Sequence, residues 1–151
     1  MIYGIIAALI VIADFVTKYL IKNNISLGSV FFSVPHFFDF TYVQNKGAAF
    51  SMFSGKVSVL SVVSIAFCVA VVIYWVIKKP KHPLLCTALA MMFSGALGNA
   101  VDRVFYGYVV DFIAVRFIDF PVFNIADMAI TIGAALVIIY AIFFDKDENN
   151  G

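Results

Sequence analysis

Charge is scarce in this chain. Of its 151 residues only 13% are Asp, Glu, Lys or Arg, whereas 64% are hydrophobic, and the mean hydropathy is +1.03. Soluble domains run at ~25% charged and ~45–50% apolar. A chain of this size leaves much of its surface exposed, so this excess cannot be hidden in one aqueous core, and a bilayer is the solvent that fits. Basic excess is missing too: the net charge is +1, which argues against a nucleic-acid partner, since phosphate binding needs a positive patch. Cysteine is nearly absent. Cys68 and Cys86 both fall in apolar runs, at a spacing that matches no zinc or redox motif, and read as small buried hydrophobes. Common catalytic motifs are lacking as well: there is no G-x-S-x-G and no H-E-x-x-H, and neither His36 nor His82 has a convincing Ser or Cys partner. Nothing in the chain calls for a metal or cofactor.

What is present is four apolar runs, at about 2–21, 57–77, 84–104 and 124–144, each near the ~20 residues that cross a bilayer. The first has neither a basic leader region nor an A-x-A-like cleavage site, so it reads as a retained span. Loop 78–83, "KKPKHP", holds the densest basic cluster, Lys78, Lys79 and Lys81, and its prolines make it a turn outside the hydrocarbon. Short basic loops stay cytoplasmic. Both termini are then expected in the cytoplasm, with segments 22–56 and 105–123 outside. Within the first of these, "VFFSVPHFFDFTYV" (30–43) alternates roughly and is rich in Phe and Val, predicting strands that hug the membrane boundary. One integral-membrane domain is expected.

A charged residue at the bilayer centre costs about 2.5–3.5 kcal/mol on insertion scales, and such residues usually face a bundle interior or a wet cavity. Asp14 and Lys18 are four apart in the favourable order for a helical ion pair, readable as a structural pair with Lys18 snorkelling or as support for a site. Asn99, Asp102 and Arg103 share one face at the end of the third span, after the small residues Ser94, Gly95 and Gly98. The structural reading is a helix-end network in which Arg103 holds Asp102 ionised. Asn124 sits near an N-cap position and Asp127 three residues on, with Thr131 a further turn along; Asp127 could simply complement the helix N-terminus. Asp111 lies outside the spans, amid Val109, Val110, Phe112 and Ile113, with no adjacent cation. It is either a lone surface acid or one half of a pair with Asp127. Two close carboxyls cannot both ionise easily, so one can stay protonated while the other activates water.

The blocks "ADFVTKYLI" (13–21), "VQNKGAAFSMF" (43–53), "GALGNAVDRVFYGYVVDFI" (95–113) and "FPVFNIADMAITIGAAL" (120–136) occur in the order found in the lipoprotein signal peptidases (signal peptidase II), bacterial membrane aspartic peptidases, which the chain resembles over nearly its whole length. The resemblance implies a membrane α-helical fold: four transmembrane helices, a small extracytoplasmic β-rich cradle and a short outer helix. It implies an endopeptidase of the bacterial cytoplasmic membrane, active near the outer face, that cuts prolipoproteins before a diacylglyceryl-modified cysteine. It places the catalytic pair at Asp111 and Asp127, supporting polar residues at Asn99, Asp102, Arg103, Asn124 and Asp14, and substrate-backbone contacts at Asn45 and Gly47. Arg116, just past the V-V-D-F-I block, is a further candidate contact. The partners expected are the modified precursor and membrane lipid, with the enzyme monomeric. A small transporter or proton-relay subunit using the intramembrane acids, or a non-catalytic membrane assembly factor, is the alternative.

Overall fold

The computed structural model describes residues 1–47 and 56–144. Four helices, α1 (Ile2–Asn24), α2 (Val57–Lys78), α3 (Pro83–Tyr106) and α4 (Ile125–Phe143), are each long and apolar enough to cross a membrane. Helix α3 is the hub and packs against the other three. Its small residues explain why: Ala88, Ala90, Ser94, Gly95, Ala96, Gly98 and Ala100 are all buried, so neighbouring backbones come close. The other helices bury narrow stripes and present Ile5, Leu9, Val62, Val69 and Ile138 outward, as a lipid-facing surface requires.

Three strands, β1 (Val30–Val34), β2 (Phe38–Asn45) and β3 (Val109–Val115), form an antiparallel sheet in the order β1-β2-β3. The strands expected in 30–43 are thus two, joined by a turn in which His36 takes a positive φ of 69°. Strand β3 lacks a legible alternation because Val109, Val110, Asp111 and Phe112 are all buried. A core of Ile21, Tyr42, Val110 and Phe112 ties the sheet to the end of α1. Among the described residues there is no fifth helix.

Two glycines carry geometry that another residue would break. Gly107 ends α3 with φ 72°, the left-handed C-cap that lets the chain turn at once into β3. Gly98 lets α1 in: a Cβ there would lie 2.6 Å from Asp14 Oδ2. Asp14 cannot step aside freely, because its other oxygen accepts the Ala126 backbone N–H at 2.9 Å. Gly98→Ala is therefore expected to cost about 1–3 kcal/mol, read as a lowered thermal midpoint in detergent. Gly4→Ala, where nothing lies within 4 Å of the added carbon, leaves the midpoint unchanged.

Candidate active site

The end of the bundle opposite loop 78–83 gathers the polar residues. There α3 ends, β3 crosses, and α4 begins. Asn124 is the N-cap of α4: its Oδ1 accepts the Asp127 N–H at 2.9 Å, and Asp127 Oδ2 accepts the Asn124 N–H at 3.2 Å. This reciprocal cap fixes Asp127 in the first turn. The side-chain amide of Asn124, completely buried, donates to Asp111 Oδ1 at 2.7 Å, with the Asn99 Oδ1 and the Val110 carbonyl at 3.1 and 3.3 Å. One asparagine thus bridges the two acids, and Asp111 and Asp127 come together as expected.

Each carboxylate receives a second amide. Asn45 Nδ2 donates to Asp111 Oδ2 at 2.8 Å, while Asn45 Oδ1 accepts the Gly47 N–H at 2.9 Å. The Gly47 contact leaves Asn45 only its NH₂ to offer the acid. Asn99 Nδ2 donates to Asp127 Oδ1 at 2.7 Å. Its oxygen faces two donors, Asn124 Nδ2 and Lys18 Nζ, so its orientation is set the same way.

Behind Asn99 lies Lys18, which differs from the sequence expectation. It does not snorkel: it is 4% exposed, and its ammonium contacts Asp14 Oδ2 at 2.8 Å, Asp102 Oδ2 at 3.1 Å and Asn99 Oδ1 at 3.0 Å. All three of its N–H donors are used. Asp102 is accordingly held by Lys18 and by the Val110 N–H at 3.1 Å, not by Arg103. Asp102 and Arg103 are one residue apart and point about 100° apart around the helix, so Asp102 turns toward α1 and Arg103 toward α2. There Arg103 donates to Ser64 Oγ at 3.3 Å and forms part of the wall of a cleft.

That cleft has a volume of about 450 Å³ and is lined by Asn45, Asp111 and Asp127 at its polar end, with Arg103 on one side, Thr131 further along α4, and Val122, Phe123, Met128 and Ile132 making most of the rest apolar. Both acids therefore open onto one greasy space. Burial and the neighbouring Asp127 charge push the Asp111 carboxyl up to about 7, against which the Asn45 and Asn124 amides pull only partly. Arg116 is elsewhere. It is 60% exposed, forms an ion pair with Asp39 at 2.9 Å and does not line the cleft. Arg116 lies just beyond the end of β3 (Val109–Val115), which carries it away from the dyad. Ser64 and Asp39 had no legible signal; Lys18 had one, a cation in the middle of an apolar run. Among the described residues no cluster of His, Cys, Asp and Glu could hold a metal ion.

Fold and site together define a multi-pass membrane protein that carries a carboxylate pair in an apolar cleft at one end of its bundle. A family model for signal peptidase (SPase) II matches residues 6–143. The lipoprotein signal peptidase of Lactobacillus johnsonii is 42% identical over 147 residues, covering 97% of this chain and 95% of that one. That of Staphylococcus aureus (strain MRSA252) is 42% identical over 149 residues, covering 97% and 89%. A solved bacterial membrane enzyme superposes with a TM-score of 0.89 at 39% identity, covering 98% of this chain and 90% of that one. The chain belongs to the signal peptidase II family. It is a protease that removes the signal peptide from prolipoproteins, and the ion-relay alternative falls away.

Proposed function

We propose that the protease is of the aspartic type, with Asp111 and Asp127 activating water, and that it cuts before a diacylglyceryl-modified cysteine at the outer face of the membrane. The observation that carries this is the Asn124 bridge, which presents both carboxyls to one cleft, where burial and the Asp127 charge raise Asp111 to about 7 against the pull of its amide donors. Asp127, at the N-terminus of α4 and receiving two N–H groups, carries the negative charge. Its carboxylate takes a proton from water as the water oxygen attacks the scissile carbonyl carbon. Asp111 gives its proton to the carbonyl oxygen, leaving a neutral tetrahedral diol. Collapse returns a diol proton to Asp111, Asp127 passes its proton to the leaving nitrogen, and the C–N bond breaks. The apolar cleft suits a lipid-bearing residue, and Arg103 supplies the positive charge in its wall. Asp14, Lys18 and Asp102 act through Asn99 and the β3 backbone. Asn45 orients Asp111, and Gly47 orients Asn45. Lysines 78, 79 and 81 lie at the other end of the bundle, which supports a cytoplasmic loop and termini with the site outside. One chain supplies every group named, as a monomeric enzyme requires.

The test is the pH–rate profile of the purified protein on a diacylglyceryl-modified precursor and on its unmodified counterpart. Only the modified precursor is expected to be cleaved. Because Asp111 must be protonated and titrates at about 7, kcat/KM is expected to fall as pH rises through that value, approaching tenfold per unit above it. A rate that climbs between pH 7 and 9 would overturn the assignment of Asp111 as the acid.

A further inference from the structure

Below the dyad the cleft continues along α4, and there its wall carries one more polar group, Thr131. Thr131 is four residues past Asp127 on the same helix face, about 5–6 Å deeper. Hydroxyls inside apolar helices usually bond back to the preceding turn, and this chain follows that habit elsewhere. Thr17 donates to the Ala13 carbonyl at 2.7 Å, Ser61 to Val57 at 2.9 Å and Ser94 to Met91 at 2.9 Å. The Thr131 hydroxyl makes no such bond among the described residues, and its side chain is exposed to the cleft. Beside it stand Met128 and Ile132.

A peptide drawn into this space in extended form, as a protease needs, loses its own helical hydrogen bonds. In an apolar environment each unsatisfied carbonyl costs several kcal/mol. An extended chain advances ~3.3 Å per residue, so the 5–6 Å between Asp127 and Thr131 spans about two residues. The membrane side of the dyad is where the signal peptide lies if the site is at the outer face. Resting on that reading, we infer that Thr131 is a substrate-binding residue, whose hydroxyl donates to a backbone carbonyl of the signal peptide about two residues before the scissile bond. It binds peptide backbone, so it sets the register of the chain without choosing side chains, and it adds to the cleft the one donor that the apolar lining lacks at that depth.

The experiment compares Thr131→Val, Thr131→Ala and Thr131→Ser on a diacylglyceryl-modified precursor, with thermal midpoints measured alongside. Valine and alanine are expected to raise KM about three- to tenfold with kcat changed less than twofold, and serine to retain the wild-type KM. Equal KM in all four proteins overturns the inference. A fall in kcat at constant KM also overturns it, since Thr131 would then act through Asp127. So does a defect in Val alone, which would be steric. Failure of the dyad is seen separately: if Asp127→Asn remains active, the reading beneath the inference is wrong whatever Thr131 does.

Discussion

Asp127→Asn is expected to lower kcat/KM for a modified precursor by a factor on the order of 10³, and Asp111→Asn by a similar factor, with both proteins still accumulating in the membrane. Asparagine keeps the shape of each side chain and removes the proton acceptor or donor. The two variants differ in what else they change. Ionised Asp111 is a liability in the folded state: raised from 3.8 to about 7, it binds a proton in the native protein that the unfolded chain has already lost between those values. Stability therefore declines as pH rises through that window, by roughly 4 kcal/mol in total. Asp111→Asn removes that decline. Part of the gain is offset because Asp111 accepts two amides, from Asn45 and Asn124, and an asparagine offers one acceptor. A dead Asp111→Asn enzyme that melts at or above the wild-type midpoint at pH 8 is thus the expected result. Cleavage at more than a tenth of the wild-type rate in either variant removes the dyad.

The second large effect is on folding. Lys18→Met is expected to destabilise the protein by about 3–5 kcal/mol, a large part of the ~5–15 kcal/mol that holds a domain together. The reason is what it leaves behind. Asp14 and Asp102 have side chains only 3% and 7% exposed, and both rest on the Lys18 ammonium. Without it two carboxylates face one another in an apolar bundle, and Asn99 loses one of the donors that orient it toward Asp127. The triple change Asp14→Asn, Lys18→Met, Asp102→Asn removes all three charges together and is expected to recover most of the midpoint. If Lys18→Met alone melts like the wild type, the triad contributes nothing to stability.

Much of this site was legible as spacing along helices. Residues at i, i+3 and i+4 marked one face of α3, and Asn124 with Asp127 marked both a cap and an acid at the start of α4. The polar residues stood out because the spans around them are so apolar. What periodicity could not show was where a side chain ends once helices pack. Lys18 meets Asn99 81 residues away, a contact set by how closely Gly98 lets α1 approach. Arg103 was paired with the wrong neighbour, since one step along a helix turns a side chain to a different partner. Strand β3 was hidden because its core residues are buried on both faces, which erases the alternation that betrays a half-buried strand. Arg116 followed Asp111 in sequence but left with the strand.

Asn124 has a consequence beyond geometry. The same side chain starts α4, carries Asp111 and touches Asn99, so the opening of one helical turn and the loss of the reactive arrangement are a single event. The first turn of α4 cannot fray as an ordinary helix end does without disconnecting both acids. Occupancy of the cleft and order in that turn are therefore thermodynamically linked: whatever fills the space between the acids must also tighten the helix beneath it. An evolving chain in turn has no way to soften this helix end for substrate entry while keeping its chemistry intact.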